Sequence, residues 1–539
     1  MVGKTCISWL KHPLGVLLLK SITMAPRLFK IGTRTSLLAW RQSEMMRDLI
    51  QKHHPTAQVA LHGIQTRGDQ IQDRPLTELE GKDFFVAELD KALIAGETDL
   101  TVHSLKDLST ERPAELYLAA IPPRYTPHDV LIFAPDIFSD GRLPSRLVIG
   151  TGSPRRKSCI EHHLPDLLPQ AGEKPQVSCT PIRGNVETRL KRLYEPSERF
   201  PRVDGVVLAL AGLERLWAHP KTRAILGPLL QSTHMMVLPL PLFPTAPGQA
   251  ALAIECRSDD EETKALLKAL HCNTTAQAVG RERALLSAMG GGCHLPLGAT
   301  SFSDERFNEF MWSSVPDEQN QVVSQVMWQP AKALPPLPVK LRAVDGVLAK
   351  SKVQTDAPVL SGGIPSDACV FVSHQRALPD SLLRDPQHRR FWVPGVGTWR
   401  KLAAKGLLVS GCTDNLGWRR MGDLTENSLL DLPQAAQWHV LTHEQALGWS
   451  KSGATVHFTY AFEKQNDLEF KKQLENATHV FWGSASQFFK YHEACPREAH
   501  HACGPGKTAD RLAEVGLEHY TVFPSRAQWQ TWVSERQKN

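Results

Sequence analysis

From Phe29 to about Val237 one unit recurs along the chain: a short apolar run, a loop of small residues, then a stretch of helical period. Phe29-Lys-Ile-Gly-Thr leads into Ser36 to Ile50, where Leu37, Leu38, Met45, Met46 and Leu49 recur at near-helical spacing. Leu147-Val-Ile-Gly leads into Ser153 to His162, Gln176-Val-Ser-Cys into Asn185 to Leu193, and Val203 to Leu210 into Gly212 to Trp217. Strand, loop and helix in repetition predict an α/β fold with largely parallel sheets. Ligands of such sheets collect where strand ends meet helix N-termini. That is where basic residues stand in this chain.

A chain of 539 residues exceeds one compact core and calls for several domains. The surplus of 62 Lys and Arg over 56 Asp and Glu is too small for a dedicated nucleic-acid binder, so an anion site has to be local. No run of 18 apolar residues appears, which excludes an ordinary membrane-spanning helix. Ten cysteines without one C-x-x-C exclude a zinc ribbon or thioredoxin motif, suggest a reducing compartment and leave no metal site to propose.

The N-terminus stays open between three readings. Met1 to Ser43 holds seven Lys or Arg and no acid, as a transit peptide would, and Pro13 to Leu19 is a short apolar run without an A-x-A cleavage site. Alternatively Met24 is the start, since the first strand-like segment begins at Phe29. The expectation is a cytoplasmic protein, organellar if residues 1–27 are a transit peptide.

Pro239, Pro241, Pro244 and Pro247 make a rigid connector of residues 239–247. A smaller unit follows, with a helical stretch from Thr275 to Met289 ending in Gly290-Gly-Gly-Cys293, and Ala331 to Pro338 marks a further boundary. Beyond it lies an internal repeat. Gly395-Val-Gly-Thr398 precedes Leu402, Ala403, Gly406 and Leu407, and Gly504-Pro-Gly-Lys-Thr508 precedes Leu512, Ala513, Gly516 and Leu517 at the same offsets. Each copy reads as a glycine loop, a threonine capping a short helix and a glycine stop, which implies two similar lobes. A phosphate loop is excluded, because the pattern would need glycine where His501 stands.

Arg34, Lys82, Lys106, Arg155, Arg156, Arg183, Arg189 and Arg215 all fall at or just after strand-to-helix transitions. Any one alone would read as a solvated surface charge. Eight in register with loops suit a ligand rich in carboxylates, because guanidinium forks pair carboxylates bidentately. Asp107 follows Lys106 directly after an apolar strand. It reads either as a helix cap or as an ionised group that steadies a developing cation. His103, on that strand, reads as packed rather than catalytic. Cys293 sits on three glycines, which let the backbone approach closely and expose a thiol; the plain alternative is a buried inert cysteine.

Gly32-Thr-Arg34, Thr66-Arg-Gly-Asp69, His103-Ser-Leu-Lys-Asp107, Gly150-Thr-Gly-Ser-Pro-Arg-Arg156, Arg183-Gly-Asn-Val-Glu-Thr-Arg189, Ala211-Gly-Leu-Glu-Arg215, Pro247-Gly-Gln249 and Gly290-Gly-Gly-Cys293 together resemble the porphobilinogen deaminase family, from about Phe29 to Phe302. The resemblance implies head-to-tail condensation of four porphobilinogen to hydroxymethylbilane with loss of ammonia. It also implies a dipyrromethane cofactor held by thioether on Cys293, Asp107 as the catalytic carboxylate, and Arg34, Lys106, Ser153, Arg155, Arg156, Arg183, Arg189 and Arg215 as cofactor-binding residues. Arg34, Arg155, Arg183 and Lys82 would meet substrate. Two positions depart from the family pattern: Asp83 follows Lys82 where glycine is usual, and Gly152 replaces a common serine.

The implied fold has two periplasmic-binding-protein-like domains, residues 28–125 with 235–256 and residues 126–234. A small α/β domain bearing the cysteine spans 257–330, after an N-terminal extension over 1–27. Residues 343–539 resemble uroporphyrinogen-III synthase through the lobe repeat, Phe481-Trp-Gly-Ser-Ala-Ser486, Gly504-Pro-Gly-Lys-Thr508 and Phe458-Thr-Tyr460, with Tyr460 and Thr508 at its site and Trp482-Gly483 as departures. A monomer acting on a small molecule, without nucleic acid or membrane, is expected. The rival readings are a two-lobed anion-binding protein without catalysis and a deaminase with a non-catalytic C-terminal domain.

Overall fold

The computed structural model describes residues 6–8, 20–22 and most of 27–535. Residues 1–5, 9–19, 23–26, 67–85, 139–141, 171, 197–201, 292–294, 307, 318–321, 331–333, 335–336, 339, 347–352, 355–362, 387, 445, 447–448, 450–451, 463–466, 518–519 and 536–539 lie outside the described residues. Lys82, Asp83 and Cys293 are among these.

Two five-stranded sheets share one plan. The first runs in the order Gln58–Ile64, Leu28–Arg34, Leu100–Ser104, Leu252–Arg257, Leu116–Ala120, and Leu252–Arg257 alone is reversed. The second runs His234–Val237, Asp129–Phe133, Gly205–Ala209, Arg146–Gly150, Gln176–Thr180, and its reversed strand is Asp129–Phe133. Leu100–Ser104 and Asp129–Phe133 are almost wholly buried, as strands covered on both faces must be. His234–Val237 belongs to the second sheet, so the return crossing begins at Leu238.

Each reversed strand is the one the chain enters on arriving from the other sheet. An antiparallel strand begins where its parallel neighbours end, so both crossings, 121–128 and 238–251, arrive at the ligand end of a sheet. Leu105 N–H therefore bonds Ala251 O at 3.0 Å, and Leu238 N–H bonds Asp129 O at 2.9 Å.

A third sheet, Gly298–Asp304, Asn308–Pro316 and Val322–Gln329, is antiparallel and packs against the helix Asn273–Ala288. The C-terminal region forms two further sheets. Ala343–Asp345 pairs in parallel with His479–Trp482, followed by His500–Cys503 and Tyr520–Val522. Between these segments the chain builds a six-stranded sheet with a parallel centre, His439–His443, Cys369–Val372, Arg390–Val393 and Val409–Cys412.

The two glycine loops occupy equivalent places, after Arg390–Val393 and after His500–Cys503, and lead into the helices Val396–Ala403 and Lys507–Glu514. Gly406 (φ 90°) and Gly516 (φ 69°) end the two copies in the left-handed conformation that glycine adopts without strain. The caps differ from the sequence expectation. Gly395 and Gly506 are the N-cap residues, and Thr398 and Thr508 lie inside the first turn without capping it. A Cβ on Gly395 would stand 2.1 Å from the Asn415 side-chain oxygen, so no larger cap residue fits there without displacing that side chain.

The C-terminal region is not a bead on a string. Leu131, Phe133, Leu147 and Met236 of the second sheet share one apolar core with Val370, Trp399, Leu402 and Val409. Phe310 and Trp312 of the third sheet share another with Val480, Trp482 and Leu512. Edge strands His234–Val237 and Val409–Cys412 lie beside each other.

Candidate active site between the first two sheets

The buried strand Leu100–Ser104 runs into a single 3-10 turn, Leu105–Asp107. The return crossing holds this turn through the Ala251 carbonyl. From the other side Arg283, on the helix Asn273–Ala288, donates to the carbonyls of Leu108 at 2.8 Å, Ser109 at 2.7 Å and Leu105 at 3.3 Å. The half-buried Asp107 carboxylate is thus carried on a backbone fixed from two directions.

On the facing sheet, Ser153 caps the helix Pro154–His163 by accepting the Arg156 N–H, and Pro154 occupies the first turn. That start places both Arg155 and Arg156 over Asp129, the first residue of the reversed strand. Arg155 Nη2 meets Asp129 Oδ2 at 2.8 Å, and Arg156 Nη2 meets Oδ1 at 2.8 Å. Gln249 Nε2 adds a third bond at 2.9 Å. Burial alone would push the Asp129 carboxyl up, but the two guanidiniums outweigh it and hold the group below the ordinary carboxylate range. Arg155 also donates to Pro244 O at 2.8 Å and Arg156 to Val207 O at 3.1 Å. Both arginines thus grip protein oxygens, and the Nε of each is buried without a hydrogen bond.

The other cations close around the same space. Burial lowers the Lys106 ammonium while neighbouring Asp107 opposes the shift, and the charges of Arg156, Asp129 and Arg155 reach it too. Arg189 donates Nε–H to Gly184 O at 2.8 Å. Burial and then Arg156 push its guanidinium down to about 10, against the pull of Asp107, and Arg183 adds to the lowering. Arg215 bonds Ala250 O on the return crossing and lies 4.8 Å over the Tyr125 ring on the outgoing one; burial brings it down to about 10. Arg34 ends the strand Leu28–Arg34, and its charge is felt at His103.

The structure thus brings Arg34, Lys106, Asp107, Arg155, Arg156, Arg183, Arg189 and Arg215 to one end of two facing sheets. Ser153 serves there as the cap. A Cβ at Gly152 would stand 2.8 Å from Ile182 O, a close approach that accounts for glycine in place of serine. Cys293 lies outside the described residues, but its loop opens at Gly290 (φ 92°) and Gly291 (φ 66°), and a Cβ on Gly291 would sit 3.5 Å from Thr110 Oγ1, three residues past Asp107.

His103 is packed, as its strand suggested. It bonds Thr101 Oγ1 at 2.9 Å and lies 3.4 Å from Glu255, and burial pushes it down to about 4. Asp90, His103 and Glu255 are close enough to ligate a metal ion. The Arg112 guanidinium already meets both acids, Asp90 at 2.6 Å and Glu255 at 2.8 Å. Sequence reasoning missed Asp129. The available signal was an acid opening the apolar run Asp129-Val-Leu-Ile-Phe133, because a buried carboxylate needs cations.

In the C-terminal region Tyr460 is buried among His374, His443 and Phe462 within its own lobe, and burial pushes its hydroxyl up to about 12. Thr508 stands in the first turn of Lys507–Glu514 on the other lobe. Between the lobes, a Cβ on Gly417 would meet the Gly506 backbone at 3.3 Å, and the Lys507 side-chain nitrogen lies over the Trp449 ring.

Seven cations around two carboxylates, between like α/β sheets, form a basic site suited to a ligand bearing several carboxylates. The family model "Porphobilinogen deaminase, dipyromethane cofactor binding domain" matches residues 29–265. A porphobilinogen deaminase of Brevibacillus brevis is 36% identical over 335 residues, 62% of this chain and 97% of the relative. One of Syntrophotalea carbinolica is 40% identical over 276 residues, 51% of this chain and 79% of the relative. One of Ralstonia nicotianae is 35% identical over 348 residues, 64% of this chain and 94% of the relative. The chain belongs to the porphobilinogen deaminase family, whose function lies in tetrapyrrole synthesis and whose cofactor is a cysteine-bound dipyrromethane. The residues present fit that group: the cations outnumber the acids, three buried guanidinium Nε atoms (Arg155, Arg156, Arg215) lack hydrogen bonds, and the cysteine loop opens beside the Asp107 turn. Among the described residues no helix is long and apolar enough to cross a membrane.

Proposed function

We propose that this chain joins four porphobilinogen head to tail, releasing one ammonia for each, at the cleft between its first two sheets. The observation that carries the reading is Asp107 on a doubly held turn within a ring of cations. Cys293 holds the dipyrromethane, which supplies the pyrrole on which the chain of rings begins. Asp107 steadies the positive charge that appears on a ring as its ammonia departs, and it hydrogen-bonds the pyrrole N–H groups. Each ring brings two carboxylates. Arg34, Lys106, Arg183, Arg189 and Arg215, with Lys82 and the outward edges of Arg155 and Arg156, receive them, and Ser153 keeps the arginine helix in register. Incubation of the full chain with porphobilinogen tests this by ammonia release, and the mass of the denatured chain reports the bound dipyrromethane. Binding without ammonia release, on a chain of unadorned mass, would instead indicate an anion-binding protein.

The two-lobed region from Ala343 onward we read as closing the linear product into the type III ring, as a uroporphyrinogen-III synthase does. Supporting this are the paired glycine loops at equivalent strand ends and Gly504, where an added Cβ would meet nothing within 4 Å. Amides at such a helix start suit a carboxylate, and Tyr460 would assist loss of the terminal hydroxyl. A second site packed against the deaminase half would meet an unstable product before it is diluted into bulk solvent. Release of the type I isomer alone from porphobilinogen would refute the second activity and leave the region as a structural partner of the deaminase half.

A further inference from the structure

The chain passes between the first two sheets twice, and one carboxylate from the C-terminal region touches both passages. Asp414 follows the strand Val409–Cys412 in a left-handed turn (φ 52°, with Asn415 at 62°) and is 3% exposed. Its Oδ2 meets His128 Nε2 on the outgoing crossing at 2.9 Å, and its Oδ1 accepts the Leu240 N–H of the return crossing at 3.0 Å. The His128 ring is buried and its Nδ1 has no hydrogen bond, so among the described residues Asp414 is the polar partner that orients it. The left-handed pair is a local tight turn, closed by the Leu416 N–H on the Thr413 carbonyl at 2.8 Å, which suits Asp and Asn and presents the Asp414 carboxylate to the crossings.

His128 is the residue before Asp129, the acid under Arg155 and Arg156. Its carbonyl accepts the Leu210 N–H that starts the helix bearing Arg215. Four residues beyond Leu240, the Pro244 carbonyl accepts from Arg155. Both ends of the Asp414 contact thus run within a few residues of the cation cluster. Among the described residues these two crossings are the links by which the chain passes between the two sheets.

We propose that Asp414 is a positioning residue of the deaminase site: the appended domain clasps both hinge crossings and so sets the separation of the Arg155 and Arg156 pair from Asp107. The inference rests on the deaminase reading above. Successive additions enlarge the bound chain by one ring and two carboxylates each, and each stage needs the cations of one sheet at a defined distance from the carboxylate of the other. A loosened clasp therefore penalises later additions more than the first.

The test compares Asp414→Ala and Asp414→Asn with the unaltered full chain. The asparagine keeps an oxygen for Leu240 N–H and removes the charge beside His128, whereas alanine removes both contacts. Expected are folded chains carrying the cofactor mass, with kcat on porphobilinogen reduced about 10- to 100-fold in the alanine variant, the scale for displacing reacting groups by about an ångström. Asparagine should lose less, and KM should move less than kcat in both. With limiting porphobilinogen, the denatured variants should carry a ladder of one-ring mass increments shifted to its shorter members, and the Leu240 amide should exchange hydrogen faster. A wild-type ladder and kcat in both variants, even with faster exchange, would overturn the proposal. So would a kcat loss that merely tracks the fraction of cofactor-free protein. If alanine prevents folding, the asparagine ladder decides. Failure of the unaltered chain to release ammonia would count against the deaminase reading instead.

Discussion

Asp129→Asn removes one charge and leaves the shape of the side chain intact. The carboxylate is 1% exposed and accepts from Arg155, Arg156 and Gln249 at 2.8, 2.8 and 2.9 Å. The amide oxygen can keep Arg156 and Gln249, but the amide nitrogen then faces Arg155 Nη2 donor to donor, and two guanidiniums remain without a counter-charge. Breaking a buried pair in this way costs about 3 to 5 kcal/mol. Spread over the unit formed by the first two sheets together, roughly 230 residues, that corresponds to about 6 to 20 °C in melting temperature. Because a chain of several domains does not melt in two states, the cleaner measurement is native hydrogen exchange at Val130 to Phe133. The pH dependence follows from the direction of the shift. A carboxylate held below its ordinary value contributes fully above the unfolded pKa of about 3.9 and loses that contribution as pH falls through the folded value. The gap between wild type and variant should therefore stay level from pH 8 to pH 5 and close only below about pH 4. A gap under about 1 kcal/mol, or one already narrowing between pH 8 and 6, would refute the clamp.

Asp107→Asn should keep the cofactor mass and lower turnover by about two to three orders of magnitude, the scale for removing a preorganised electrostatic group; more than about a tenth of wild-type turnover would assign the charge stabilisation elsewhere. Cys293→Ser should fold but carry no dipyrromethane, because a hydroxyl is a far poorer nucleophile than a thiolate, and peptide mapping that finds the adduct on another cysteine would end that assignment. Lys507→Met should raise the melting temperature of the C-terminal lobes at pH 7. Burial brings the ammonium down to about 6, so the unfolded chain binds a proton there that the folded chain does not, and that cost disappears above the unfolded pKa of about 10.4. Equal gains at pH 7 and pH 10.5 would show that packing, not charge, is responsible.

Much of this architecture was legible in the sequence, because strand and helix differ in hydrophobic period. The segments from Ser153 to His162 and from Asn185 to Leu193 are helices in the structure within a few residues. The convergence of Arg34, Lys106 and Arg189 also followed, since Arg34 ends its strand, Lys106 stands in the turn after one and Arg189 in the short helix beyond another. Hidden were facts that depend on partners far along the chain. A lone Asp129 looks like any strand-opening acid until Arg155, 26 residues on, is seen above it. That each sheet has one reversed strand is set by where the crossings land, which periodicity does not encode. Thr398 and Thr508 read as caps because threonine favours that place. The close contact of Gly395 with Asn415 that moves the cap is a tertiary event. The amphipathic helix Val396–Ala403 announced that it covers an apolar face, but its pattern does not say whose, and Trp399 donates to Leu167 of the deaminase half at 3.0 Å.

The shared cores set a timetable for synthesis. Leu240 and its partner Asp414 are 174 residues apart, so at about 5 to 20 residues per second the second sheet leaves the ribosome some 9 to 35 seconds before the strand that covers its edge. Until then Leu131, Phe133 and Met236 wait beside an unpaired edge strand, the kind of surface that recruits neighbouring chains. A nascent chain arrested before residue 412 should therefore be held by chaperones or aggregate, and one released after residue 412 should not.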